Sequence, residues 1–283
     1  MKETLIDILR YLLDVVLSTG GQLLILLGPL LFLALLMNFV ARQSESLGYK
    51  VFGYKGYLFI FGWLGTSIHE FGHAFFAIIF GHKITDITLF TMKEGGSLGH
   101  VNHSFNPSSF YQNIGNFFIG IGPILFGSLV LYIISWLMFD LSFDAINSVT
   151  INAAEIQDFS SIKALGLNVW ANIQGYFNFV TTGENTTWWK ILLLIYLLFS
   201  IGSSITLSKA DISGATEGFV FFVFMLLGFN LFTLWMGDFT KDAFAIASSY
   251  VSSLYFLIIL SMIINLGFII TLVFINIIKK MIF

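Results

Sequence analysis

The segment S-I-H-E-F-G-H-A carries His69, Glu70 and His73, the residues of this chain best suited by type and spacing to do chemistry. Residues four apart on an α-helix share a face about one turn apart, so both imidazoles can reach one ion. Zinc takes histidine nitrogen at roughly 2.0–2.1 Å, and a catalytic zinc site keeps a position open for water. Glu70, beside the first ligand, projects near that water as a general base should. With five His in 283 residues, chance supplies on the order of 0.002 such H-E-x-x-H patterns. The competing use of these groups is as polar glue between helices, which requires neither this order nor this spacing.

A catalytic zinc site needs a third protein ligand. The metzincin extension would put Gly at 76 and His at 79, where this chain has Phe76 and Ile79. His82 lies about 13 Å along the same helix from His73, too far to share its ion, and Glu94 falls in a turn. The remaining candidate is Asp211, in L-S-K-A-D-I-S-G-A, where Ser213 and Gly214 permit a close backbone approach or a helix break. The competing reading of Asp211 is a simple N-cap of the helix that follows, and it can serve both ends. Glu217 is the substitute ligand.

The elements that hold these residues are dissolved in lipid. Of the residues, 57% are hydrophobic, 17% aromatic and 10% charged, whereas a soluble domain carries roughly 25% charged residues. That composition excludes a soluble enzyme and a disordered chain, and 13 Lys+Arg against 16 Asp+Glu leave no basic patch for nucleic acid. Without Cys there are no disulfides and no thiolate ligands. The 33 Phe and six Trp suit lipid-facing and interfacial packing.

The pattern predicts an all-α polytopic membrane protein with about six transmembrane helices and a small β-hairpin between the second and third. Residues 2–18 read as an amphipathic interfacial helix or the wet start of the first span. Spans are expected at 22–40, 57–80, 114–139, 188–207, 215–236 and 251–278. The polar stretch 42–55 is expected as a connection outside the bilayer. A hairpin is expected within 82–106, turning at E-G-G-S, and 140–187 as a solvated loop or small cap. The units are then 1–56 (N-terminal segment and first membrane helix), 57–237 (core) and 238–283 (C-terminal membrane helix). Lys and Arg divide seven to six between the two sides, which sets no orientation. The long acidic loop favours the outside, with termini, hairpin and active-site opening on the cytoplasmic side of the cell membrane.

H-E-F-G-H in a membrane helix, Gly122-Pro123 in the next span and a later Asp together resemble the site-2 protease family of intramembrane zinc metalloproteases. The resemblance covers roughly residues 57–230 and leaves the first and last spans unexplained. It implies a three-helix core around one zinc ion held below the membrane surface by His69, His73 and Asp211, with Glu70 catalytic. It further implies hydrolysis of peptide bonds in or near transmembrane segments of membrane-embedded protein or peptide substrates. An edge strand at about 98–105 would pair with an unwound substrate, and Gly122 and Pro123 belong to a substrate-positioning motif. Phe126 stands where that motif often has Asn, and Ala-Asp-Ile-Ser-Gly replaces the usual Leu-Asp-Gly. Asn113 and Asn116 could supply the missing polar contact or act as caps. His100 and His103 read as interfacial polar residues rather than ligands. The alternative function is a non-proteolytic transport or scaffold protein that retains a zinc site, although the Gly-Pro break has no counterpart in the sixth span, as an inverted repeat would require.

Overall fold

The computed structural model describes residues 2–93, 97–140, 170 and 173–282. The described residues are overwhelmingly helical, with one two-stranded antiparallel sheet among them. Among the described residues, four helices are long and apolar enough to cross a membrane: Thr4–Phe52, Phe110–Phe139, Lys209–Met236 and Leu254–Ile278. They belong to α1 (Lys2–Phe52), α4 (Phe110–Phe139), α7 (Lys209–Thr233) and α8 (Asp238–Ile282). The two other expected spans correspond to shorter helices. Residues 57–80 run through α2 (Tyr54–Tyr57), a widened π turn (Leu58–Gly62) and α3 (Trp63–Ile79). Residues 188–207 contain α6 (Trp188–Ser200) and a 3₁₀ turn (Gly202–Ser204), after which the chain leaves helical form until Lys209.

Three expectations change. The stretch 42–55 is not a loop, because α1 continues unbroken to Phe52 and is about 77 Å long. Side-chain contacts hold its last turns in the bundle: Ser44 donates to Asn265 at 3.5 Å, and Gly48 lies against the ring of Tyr57, where a Cβ would sit 2.3 Å from a ring carbon. Second, α7 starts six residues before its expected position of 215, because Ser208 is a good cap. Third, 140–187 does not end as loop: 173–182 form a helix, α5, whose Tyr176 and Val180 enter the main core. The remainder of that region, 141–169 and 171–172, lies outside the described residues, as does the expected turn at 94–96.

Helix α4 is the centre of the protein. Of its apolar stretch, 61% lies inside, against 33% or less in the other three long helices. It packs most extensively on α7 and α3, and small residues set the close approach. A Cβ on Gly72 of α3 would meet the Pro123 Cα at 2.8 Å, and one on Gly218 of α7 would meet the Phe117 amide nitrogen at 2.1 Å. Such backbone-to-backbone crossings are how helices associate where lipid is as apolar as leucine.

Helix α3 closes with a Schellman motif. Gly81 adopts φ +70°, its amide donates to Ile78 O at 3.1 Å, and the His82 amide donates to Ala77 O at 2.8 Å. That reversal launches β1 (Lys83–Thr88), which pairs antiparallel with β2 (His100–Ser104). The register runs from Lys83 opposite Ser104 to Thr88 opposite His100, with a bulge between Ile84 and Asp86. Beyond the ladder, the Thr91 amide donates to Leu98 O at 2.6 Å, and Phe90 and Leu98 pack on Tyr57 and Leu58. The hairpin therefore folds back over the start of the H-E-F-G-H helix.

Candidate metal centre

His69 and His73 stand one turn apart on α3, and each has its Nδ1 tied to a backbone carbonyl. His69 Nδ1 lies 2.8 Å from Ser204 O, and His73 Nδ1 lies 2.8 Å from Ile119 O. A carbonyl only accepts, so each Nδ1 carries the proton, and in the neutral imidazole each Nε2 presents a lone pair. Both carbonyls are available for a structural reason. Ser204 closes the 3₁₀ turn where the chain after α6 has lost its helix, and its carbonyl, which also accepts from the Thr206 amide at 2.8 Å, keeps a second lone pair for His69. Ile119 sits four residues before Pro123, which has no amide hydrogen to return to it.

Asp211 is the third member. It is N3 of α7 in a capping box: its amide donates to Ser208 Oγ at 3.1 Å, and the Ser208 amide donates to Asp211 Oδ2 at 2.6 Å. The N-cap is Ser208, so Asp211 is not the cap residue expected from the sequence but its N3 partner in the capping box. Oδ2 is held by the cap, while Oδ1 stands 3.1 Å from His73 Nε2. Ser213 and Gly214 lie inside the helix and make no break.

These three groups fit a metal ion. The two Nε2 atoms are 3.3 Å apart, and tetrahedral ligands about 2.0–2.1 Å from one ion stand about 3.3 Å from each other. With both imidazoles neutral, two lone pairs and a carboxylate oxygen converge, an arrangement that repels itself unless a metal ion or a proton lies between. Among the described residues, His69, His73 and Asp211 are the group of His, Asp and Glu side chains able to share an ion. Two nitrogens and one oxygen suit zinc, and three protein ligands leave a position open. Glu217 is exposed on α7 and is not in this group.

Glu70 is buried beside the two histidines and lines a cavity of about 250 Å³ together with His69, Thr66, Tyr57, Glu45 and Gly99. Gly99 lies directly over it. A Cβ there would sit 2.7 Å from Glu70 Cγ and 2.8 Å from Leu89 O, so the strand can cross the carboxylate this closely only as glycine. The π turn before α3 is matched from α6: Ser200 donates to Phe61 O at 2.5 Å and Tyr196 to Ile60 O at 2.7 Å. Those bonds hold α3 against the helix whose end supplies Ser204 O.

The residues expected to position substrate lie elsewhere. Gly122 and Pro123 pack on Gly72. Asn113 donates to Pro107 O and Ser109 O at 2.7 and 2.8 Å, holding the start of α4. Asn116 is buried, and its amide nitrogen has no hydrogen-bond partner among the described residues. None of the four lines the cavity at Glu70. His100 pairs with Asp86 at 2.7 Å and His103 with His82 at 3.0 Å, both on the hairpin side of the site. Glu94 lies outside the described residues.

Sequence reasoning missed Gly99, Glu45 and the two carbonyls that orient the imidazoles. Only Pro123 carried a readable sign, since a proline inside a helix always frees a carbonyl four residues earlier. In comparisons with known proteins, no family model matches the chain, and neither a curated protein nor a solved structure matches it.

Proposed function

We propose that this chain is an intramembrane zinc metalloprotease, hydrolysing peptide bonds in or near transmembrane segments of membrane-protein substrates. The observation that carries the reading is the convergence of His69 Nε2, His73 Nε2 and Asp211 Oδ1, with both Nδ1 atoms committed to carbonyls and Glu70 alongside in a cavity. Hydrogen-bonding glue requires no such set of mutually facing acceptors. In this reading 57–80 and 188–207 also lie within the bilayer, making six crossings. The termini, hairpin and cavity opening then face the cytoplasm of a multi-pass cell-membrane protein.

A bound zinc ion would supply Lewis acidity, bringing the pKa of water toward ~7 and polarising the scissile carbonyl. Glu70 takes the proton from the attacking water and delivers it to the departing amide nitrogen, so that one C–O bond forms as the C–N bond breaks. His69 and His73 keep their orientation throughout because their Nδ1 protons are held by backbone. Gly99 lets the hairpin cover the carboxylate and limits water around it, and β2 offers an edge for an extended substrate segment.

The decisive experiment compares Glu70→Gln and Asp211→Ala with the unsubstituted protein in detergent. Glu70→Gln is expected to retain one zinc per chain and lose cleavage of co-purifying membrane proteins. Asp211→Ala is expected to lose zinc and activity together. Cleavage undiminished in Glu70→Gln rejects the general base, and stoichiometric zinc in Asp211→Ala moves the ligand elsewhere.

A further inference from the structure

We propose that Glu45 is a recognition site for a cationic side chain, Lys or Arg, on the polypeptide segment presented to Glu70. The inference rests on the protease reading for the nature of the ligand. Glu45 lies on α1, away from every motif residue, yet it lines the same cavity of about 250 Å³ as His69 and Glu70. Among the described residues its carboxyl group makes no ion pair or hydrogen bond. The cation that acts on it is Arg42, three residues earlier on the same helix, exposed and not in ion-pair contact. A carboxylate set among apolar helices is costly until something partners it.

Much of the remaining wall is complementary to a donor, although the hydroxyls of Tyr57, Thr66 and Thr206 also line it. Four lining serines have spent their hydroxyl protons on carbonyls: Ser97 on Gly99, Ser200 on Phe61, Ser203 on Ser200 and Ser204 on Ile201. Their lone pairs, with the carboxylates of Glu45 and Glu70, make a chamber rich in acceptors. Lys offers three donors and Arg five, and neither carries an acceptor. The volume admits such a side chain but not a helix of about 10–12 Å diameter, so the segment must enter unwound. Basic residues cluster where transmembrane segments leave the bilayer. The substrate class is therefore a transmembrane segment with a Lys or Arg at its membrane boundary, close to the scissile bond.

The test measures binding of a fluorescent leucine–alanine transmembrane peptide to full-length, zinc-loaded Glu70→Gln protein. A single Lys is moved through successive positions at one end, with Gln and Glu counterparts at each. At one register the Lys peptide is expected to bind about ten- to a hundredfold more tightly than its Gln counterpart, with Glu weakest. Adding Glu45→Gln should remove that ratio, and Glu45→Lys should invert it toward the Glu peptide. Equal binding of Lys and Gln peptides at every register overturns the proposal without any Glu45 variant having to fold. A Lys preference undiminished by Glu45→Gln overturns it as well. Cleavage of the same peptides by unsubstituted protein is read in parallel. Lys preference without cleavage rejects the protease and keeps the site, whereas cleavage without preference does the reverse.

Discussion

Two long helices carry a proline in their interior, Pro29 in α1 and Pro123 in α4, and the molecule uses the same defect in two ways. In each helix the carbonyl four residues earlier has no amide to accept from. In α1 the orphan is Ile25 O. Tyr255 of α8 brings its hydroxyl beside it, donating chiefly to the neighbouring Leu26 O at 2.5 Å and reaching Ile25 O at 3.4 Å. In α4 the orphan is Ile119 O, and the donor is His73 Nδ1 at 2.8 Å. A phenol that gives its proton to a carbonyl has finished its work, and the contact joins one helix to another. An imidazole that does so has a second nitrogen, which becomes an acceptor and is delivered to a fixed point. Whether the defect becomes packing or chemistry depends on whether the donor has a second end.

The harshest way to break this comparison is to push the α3–α4 crossing apart. In Gly72→Val the new Cβ would lie 2.8 Å from Pro123 Cα and 2.9 Å from Gly122 O, both backbone atoms that cannot turn aside. Overpacking of this kind costs about 1–3 kcal/mol, and separating the helices withdraws Ile119 O from His73. Zinc affinity is expected to fall by at least about a hundredfold, the upper end for loss of an orienting contact. Metal titration of the purified variant checks it, and an unchanged affinity would cut the link between the crossing and the site.

Pro123→Ala isolates the carbonyl. The restored amide competes with His73 for Ile119 O, and zinc affinity should drop about ten- to a hundredfold. The zinc-free fold should gain stability, because proline in a helix interior costs about 3 kcal/mol. Pro29→Ala should share the gain and leave zinc affinity where it was. Thermal unfolding and metal titration on both variants read these opposite signs. Equal behaviour of the two would show that the carbonyl at Ile119 has no special part in the site.

The features readable in the sequence were those stored in residue type and spacing. His69 and His73 declare themselves by a four-residue interval, Asp211 by being the remaining acid on the correct side, and the hairpin by β-branched residues around glycines. The features that escaped are stored in the backbone or across long separations. Any residue has a carbonyl, so nothing about Ser204 or Ile119 as a residue type marks it as a histidine partner. Gly99 over Glu70 and Gly48 against Tyr57 are contacts whose partners lie elsewhere in the chain, and a glycine alone does not name its neighbour. The persistence of α1 through 42–52 is hidden in the sequence because a polar stretch reads as a helix end. Ser44 and Tyr49 instead find partners in the bundle.

Tyr255→Phe sharpens the other side of the comparison with a smaller effect. It removes the hydroxyl at Leu26 O and Ile25 O and keeps the ring, so the cost is one hydrogen bond, about 1 kcal/mol. Stability by thermal unfolding should fall by that amount while zinc affinity stays constant. A loss of zinc in this variant would mean that the α1–α8 contact reaches the site after all.

The smallest effect comes from a third imidazole with two committed ends. His82 stands 2.8 Å from Gln112 O through Nε2, so its Nδ1 accepts from His103 Nδ1 at 3.0 Å. Here two imidazoles face each other with no carboxylate, and the pair shares a proton instead of gripping a metal ion. Burial, and for His103 the neighbouring His82 as well, holds both imidazoles below their ordinary value of 6.5. The unfolded hairpin then binds more protons than the docked one as pH falls through 6.5, so docking is at full strength above that value and weakens below it. Asp86 adds a contribution of the same sign at lower pH, since the hydrogen bond from His100 keeps its carboxyl below the usual range. Protection factors along 100–104, corrected for the intrinsic exchange rate at each pH, should fall severalfold between about pH 7.5 and about pH 5.5, while those around Tyr255 stay constant. If the strand's protection instead tracks that of the α1–α8 contact at both pH values, the imidazole pair is not what holds the hairpin to the core.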